Sequence, residues 1–586
     1  MRACPEDFDT YDRRIPTPDR LMHPRGLIRL PFLYWKAAKL SAFLRNTRNG
    51  RAIQRRQLLD KIGRSTSSQF GRDFGLNKLS TADAFRSRFP VLDYEAFAPY
   101  VQRVAQGNVG AMFPADTRIL MFATTSGTTN VPKLLPVTQS FYDEYRASWQ
   151  YWGTGVYRDY PHLLGLSTRQ FSSHWQVSRS PSGVPCGNIS GLAAETRPAY
   201  MRSLFVLPSA VIRIMDHAAK HYTALRISLA SNRVGKVITA NPSTLIEVAK
   251  RADREKESLI RDLFDGTLSK HVDVSPAIRQ TLRPHLRKSP ARARELESIA
   301  EHTGHLYPKD AWPRLTLLAV WTGGAVGIYL PQLEQYYGSL PVRDHGISAS
   351  EGRMTIPLSD RTQAGLLDYT SHYYEFIPEQ EHGSKNPTIL EAHELQPGSR
   401  YFILLTTSAG LFRYDISDVV CCEGYEGQVP LLSFMNKGRH FANFTGEKLS
   451  EHQVVQAMTE SLQSLGLQSC TFTLAPVMRE RPQYRLLLDS AEQLQERDRL
   501  ARELQRRLEQ INIEYADKCR SGRIDTIEIH EIPAGSWDRL RAKRSGERGN
   551  FEEYKHPCLT NDLGFIDRVQ ALSSEAQRME PGQDQP

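Results

Sequence analysis

The sequence predicts an α/β protein with a large N-terminal domain of mixed β-sheets and flanking helices, followed by a small α+β domain. Three observations lead there. From about residue 116, short apolar runs feed helices through polar or glycine-rich turns. The strand–helix–strand spacing that results implies a parallel sheet with right-handed crossovers. After Lys437-Gly438-Arg439 the texture changes to strands CTFTLAPV and YRLLLD, a long charged helix around 490–517 and a strand TIEIHEIP. The expected division is therefore 1–435, a mobile domain over 436–572, and a disordered polar tail over 573–586.

Residues 31–105 read as amphipathic helices and loops, among them TADAFRSRF, which opens on a Ser80-Thr81 cap. Arg118–Thr124 reads as a strand, followed by a glycine-rich turn and a helix from about Gln139. Lys236–Thr239 leads into Asn241-Pro242-Ser243, a cap with proline near the first helical turn. Leu315–Trp321 is a buried-strand run, followed by Thr322-Gly323-Gly324, a helix-like AVGIYLPQLEQYYG and a strand at Leu340–Arg343. Tyr401–Thr407 and Leu411–Tyr414 flank Ser408-Ala409-Gly410 as a hairpin.

Composition narrows the function. The 586 residues are 40% hydrophobic and 24% charged, enough for a real core and incompatible with wholesale disorder. The most apolar stretch, Leu315–Leu333, is interrupted by Gly323-Gly324 and Pro331, so no membrane span is expected. The charged N-terminus has no apolar core of a secretory signal. Seven cysteines follow no C-x-x-C spacing, and Cys421-Cys422 are adjacent, so a reducing cytoplasm is expected. The net charge of +10 comes from dispersed basic residues with acids beside them. That pattern suits solvated faces or a groove for small anions better than nucleic acid.

Three stretches carry chemistry. The first runs Thr124-Thr125-Ser126-Gly127-Thr128-Thr129-Asn130-Val131-Pro132-Lys133 after a strand. Hydroxyls and amides around glycine make a concave donor surface for phosphate oxygens, and Lys133 adds a positive charge. The P-loop frame is absent. The second is His345-Gly346-Ile347-Ser348-Ala349-Ser350-Glu351-Gly352. A carboxylate beside hydroxyls near phosphates suits Mg²⁺, which takes one or two carboxylates plus phosphate oxygens. The third is Phe412-Arg413-Tyr414-Asp415-Ile416-Ser417-Asp418, where a carboxylate at a strand end can accept both hydrogens of a ribose diol.

In this order and spacing the three stretches resemble the motifs of the adenylate-forming superfamily of acyl-CoA synthetases, luciferases and nonribosomal adenylation domains. One branch is closer, the auxin-responsive family of acyl acid-amido synthetases. The helical entry 67–108, the string VWTGGAVGIYLPQL, and Phe551-Glu552-Glu553-Tyr554-Lys555-His556-Pro557 are similar to that family's corresponding regions. The resemblance covers roughly 65–560. Asn130 stands for a usual glycine, Ile347 for a usual tyrosine, Ser417 for the glycine before Asp418, Asp415 for an arginine and Glu553 for a glutamine.

The resemblance implies a two-step ligase. A carboxylic acid attacks the α-phosphorus of ATP to give acyl-AMP and pyrophosphate, and an amine, an amino acid by family, then displaces AMP. It implies Lys555 and Lys133 as catalytic cations and Glu351 as the Mg²⁺ ligand. Thr125, Ser126, Gly127, Thr128, Thr129, Gly323, Gly324, Ser350, Asp418 and Arg439 are the implied nucleotide-binding residues. Lys555 would be delivered by rotation about residues 436–440. An acyl-CoA ligase and a non-catalytic nucleotide-binding module are the alternatives, and a cytoplasmic monomer acting on small molecules is expected. His174 and His345 tempt as general bases but read as structural, and the acyl pocket is expected to draw on 150–230.

Overall fold

The computed structural model describes residues 24–125, 133–323, 329–438, 441–442, 449–479, 481–490, 496–520, 524–548 and 554–579. The expected parallel sheet is present. Its strands Ser167–Gln170, Val234–Ile238, Leu317–Ala319 and Val342–Arg343 lie side by side in that order, all parallel. Two of the connections run through helices Pro242–Arg254 and Leu330–Tyr337. Asn241 caps the first of these by accepting from the Ser243 N–H at 3.0 Å, with Pro242 in the first turn.

A second sheet pairs Ile119–Thr125 antiparallel with Lys133–Thr138, so the phosphate-loop candidate is the connection of a hairpin. The helix that follows spans Gln139–Asp159, capped by Thr138. A third, seven-stranded sheet is antiparallel and is built on Tyr414–Glu426 and Val429–Lys437. The expected strand Leu411–Tyr414 is corrected here. The chain turns through Arg413, whose φ is +42°, and the strand begins only at Tyr414. The reason is a buried ion pair, in which Arg413 Nε and Nη2 donate to Glu375 at 2.8 and 2.6 Å.

After residue 449, helix Glu451–Leu465 opens on a Ser450/Gln453 capping box. Strands Phe472–Met478, Pro482–Asp489 and Asp525–Ile532 form a three-stranded sheet. The single long helix expected around 490–517 is two, Arg497–Ile511 and Ile513–Arg520. The break falls at Asn512, whose Oδ1 accepts from the Tyr515 N–H at 2.9 Å. Helix Phe565–Met579 runs across position 573.

The apolar cores explain how these pieces stay together. One cluster extends from Leu40 to Phe434 through the second and third sheets. Another joins the parallel sheet and its helices (Leu245, Leu318, Tyr337) to Leu449, Phe472 and Tyr515 of the C-terminal unit. Among the described residues six cysteines are free thiols, and no helix is long and apolar enough to cross a membrane.

Candidate active site

One part of the candidate site lies at the carboxyl edge of the parallel sheet, where ligands of such sheets bind. Ile238 and Ala319 pair at that edge, and the chain leaves them as Thr239-Ala240-Asn241 and Val320-Trp321-Thr322-Gly323. The next strand ends at Arg343 and continues into the acidic motif. Asp344, which the sequence reading did not single out, ties these turns together. Its carboxylate accepts from the Thr322 N–H at 2.6 Å, from the Thr322 hydroxyl, and from the Gly346 N–H at 2.5 Å. Gly346 has φ of +85°, and a Cβ there would lie 2.2 Å from the Thr355 carbonyl oxygen, so only glycine fits.

Ser350 and Glu351 form the two-residue tip of a hairpin between Ser348–Ala349 and Gly352–Arg353. A hairpin tip is ordinarily wet, yet Glu351 is buried. Its neighbours are phenols from two other elements. Tyr94 is pushed up by burial and by the Glu351 charge, and Tyr414 by burial, then Glu351, Asp415 and Asp418. Lys133, opposite Thr125 in the hairpin, places Nζ 4.8 Å from the centre of the Tyr94 ring. Lys133, Tyr94, Glu351, Tyr414 and Asp418 thus form one chain of electrostatic neighbours. The structure brings together residues lying 285 positions apart, at 133 and 418.

Asp418 is buried on the strand that pairs it with Lys437. The residue before it, Ser417, has φ of +59°, which accounts for a glycine being usual there. Its N–H donates to Asp415 Oδ1 at 2.7 Å, and Asp415 Oδ2 lies 2.8 Å from His382 Nε2. Asp415 therefore serves the turn. At the end of the paired strand, the Gly438 N–H donates to the Ser417 carbonyl at 2.8 Å, and a Cβ on Gly438 would overlap the Phe402 ring at 2.1 Å.

Lys555 arrives from the C-terminal unit. Its Nζ sits 3.6 Å from the centre of the Trp321 ring, beside the Thr322-Gly323 turn. Ile347 is buried in the main core, its N–H donating to Thr355 Oγ1 at 2.8 Å, so the missing tyrosine is replaced by a packing residue. His345 is buried between Trp149 and Trp152, with ring centres 5.3 and 5.8 Å away. Burial and the Arg353 charge hold it down at about 3, so it stays neutral and structural. His174 is also lowered, chiefly by burial. Ser126, Gly127, Thr128, Thr129, Gly324 and Arg439 lie outside the described residues, and of Thr125 only the backbone is described.

Sequence reasoning missed Asp344, Tyr94, Tyr414 and Trp321. Position was the available signal for Asp344 and Trp321, which fall one and two residues past strand ends at a carboxyl edge. Nothing local marks Tyr94. Among the described residues no group of three or more His, Cys, Asp or Glu side chains is arranged to hold a metal. Glu351 offers one buried carboxylate, the kind of donor Mg²⁺ takes when phosphate oxygens and water complete its shell.

The fold is an α/β architecture with a parallel sheet, and the small C-terminal unit brings Lys555 to the turn that follows the third strand of that sheet. The chain belongs to the GH3 family. Family models for its N-terminal, central and C-terminal domains match residues 39–342, 365–437 and 452–563. It is 24% identical to the indole-3-acetic acid-amido synthetase GH3.3 of Arabidopsis thaliana over 72% of this chain and 73% of that protein. Identity to the probable indole-3-acetic acid-amido synthetase GH3.1 of the same plant is also 24%, over 92% and 94% of the two chains. The solved structure of the GH3.15 acyl acid amido synthetase superposes with a TM-score of 0.80 at 21% identity, covering 91% of this chain and 95% of that one.

Proposed function

We propose that the protein is an ATP-dependent acid-amido synthetase in which Lys133, Glu351, Asp418 and Lys555 are the working residues. The observation that supports this most is that buried Glu351 is linked through Tyr94 to Lys133 and through Tyr414 to Asp418, while Lys555 lies over Trp321 at the carboxyl edge of the parallel sheet. The hairpin after Thr125 holds the phosphates of ATP, and Lys133 neutralises them. Asp418, in a rigid strand, accepts from the ribose hydroxyls. Glu351 would hold Mg²⁺, which when bound would supply positive charge beside the phosphates.

Phosphoryl and nucleotidyl transfer demand positioning and charge stabilisation more than covalent help from the protein. Lys555 supplies the positive charge that meets the incoming carboxylate and the α-phosphate as charge develops there. The carboxylate oxygen bonds to the α-phosphorus and the bond to the pyrophosphate oxygen breaks. In the second step the amine nitrogen bonds to the acyl carbon, AMP leaves with the mixed-anhydride oxygen, and the amine loses a proton. Rotation of the unit after residues 436–440 would withdraw Lys555 between the steps. The same reading includes a monomer in the cytoplasm.

The test is product analysis with a panel of carboxylic acids and amino acids. Pyrophosphate formed with the acid alone, and AMP released in turnover only once the amine is added, supports the reading. ADP as product, or AMP release that requires coenzyme A instead of an amine, would overturn it.

A further inference from the structure

Asn241 serves two partners at once. Its Oδ1 caps helix Pro242–Arg254, and its Nδ2 donates to the backbone carbonyl of Tyr554. Tyr554 precedes Lys555, whose ammonium covers the Trp321 ring. Asn241 and Trp321 are themselves locked together through adjoining strand ends. The Thr239 N–H donates to the Ala319 carbonyl at 3.0 Å, and the Trp321 N–H to the Ala240 carbonyl at 3.1 Å.

On the other side, the chain just past Lys555 is bolted to its own unit. The Cys558 N–H donates to Glu451 Oε1 at 2.7 Å, and the Leu474 N–H to the Cys558 carbonyl at 2.9 Å. The Thr473 hydroxyl donates to the Pro557 carbonyl at 2.7 Å, and the Thr560 N–H to the Leu474 carbonyl at 3.1 Å. Residues 557–560 must therefore travel with the C-terminal sheet. Tyr554 and Lys555 are the part of this segment that reaches the edge of the parallel sheet.

We propose that Asn241 and Trp321 are positioning residues that latch the C-terminal unit in the orientation presenting Lys555 to the site. The proposal rests on the reading of Lys555 given above. One amide-to-carbonyl hydrogen bond and one cation–π contact add direction to the apolar contact that the unit shares with the helices of the parallel sheet, and each is weak enough to break when that contact slides. Acting together on adjacent residues, they fix both the backbone and the ammonium. The first half reaction needs the latch made; the amine step does not use Lys555 and proceeds with the latch open.

The two roles of Asn241 can be separated. In Asn241→Asp the carboxylate still caps the helix, because aspartate serves that position as well as asparagine. The donor to Tyr554 is replaced by an oxygen facing a carbonyl. We expect unchanged thermal stability and KM for ATP, with acid-dependent ATP–pyrophosphate exchange about 10–100-fold slower, as for a catalytic group displaced by about an ångström. Single-turnover amide formation from chemically prepared acyl-AMP should stay at the wild-type rate. Asn241→Ser, which also keeps a cap, should show the same split and decides the matter if the aspartate variant fails to fold. Wild-type exchange in the variants, or equal losses in both half reactions, would overturn the latch. Absence of exchange in the wild-type protein would instead remove the adenylation reading and the latch with it.

Discussion

Asp344 accepts hydrogen bonds from both the backbone N–H and the hydroxyl of Thr322, and so fixes the Gly323 turn against the acidic motif. Both elements of the site edge depend on this one buried carboxylate, which also holds the Gly346 N–H. Burial pushes its carboxyl upward, and those donors pull it back. Asp344→Ala would leave buried donors without an acceptor and should destabilise the protein by about 2–4 kcal/mol. Chemical denaturation measures that loss. A variant as stable as the wild type would show that the two turns hold without Asp344.

Acid stability should depend on Glu144. Its Oε1 meets Lys61 Nζ at 2.9 Å and the Ser408 hydroxyl at 2.6 Å, and Oε2 lies 3.4 Å from His372 Nδ1. Burial opposes its charge, but His372, Lys61 and Ser408 outweigh burial and hold the carboxyl down at about 2. A carboxyl depressed in the folded state adds stability that is complete above its unfolded value, 4.5. That stability is lost as pH falls toward about 2. Glu144→Gln should therefore be less stable by about 3 kcal/mol at neutral pH, because the Lys61 ammonium stays buried, and the difference should shrink below pH 4.5. Melting curves from neutral to acid pH check this; a constant difference across the range would contradict it.

The turn before Asp418 should welcome glycine. A side chain at φ +59° costs roughly 1–2 kcal/mol, against a loss of roughly 0.4–1 kcal/mol for the greater freedom of unfolded glycine. Ser417→Gly should thus match or slightly exceed wild-type stability and leave KM for ATP unchanged. Ser417→Val, β-branched at a left-handed position, should lose about 2 kcal/mol or more. Thermal melts of the two variants decide; a glycine variant less stable than the valine one would mean that the backbone is not strained there.

Much of the fold was legible because strands and turns leave local marks. The turn at Gly323 falls where strand-end reasoning put it. The hydroxyl-rich stretch after Ile119–Thr125 instead joins an antiparallel hairpin whose second strand, Lys133–Thr138, was not expected, and Ser350-Glu351 form the tip of another. What stayed hidden depends on partners remote in the chain. Lys61, Glu144, His372 and Ser408 carry no common signature, and only the folded chain makes them a network. Arg413 looked like part of a strand because its partner Glu375 lies 38 residues earlier. Asn241 was readable as a helix cap, but its second bond, to Tyr554, spans 313 positions.

The central claim, that this is an adenylating enzyme whose C-terminal unit delivers the cation for the first step, is tested most directly by acid-dependent ATP–pyrophosphate exchange in Lys555→Ala. The phosphate hairpin, Glu351 and Asp418 lie outside the altered unit, so folding and nucleotide affinity should persist. A cation aimed at charge that develops in the transition state is typically worth about 10²–10³ in rate, so exchange should fall by that factor. Aminolysis of prepared acyl-AMP, measured on the same variant, should fall far less. Exchange at the wild-type rate would contradict the account.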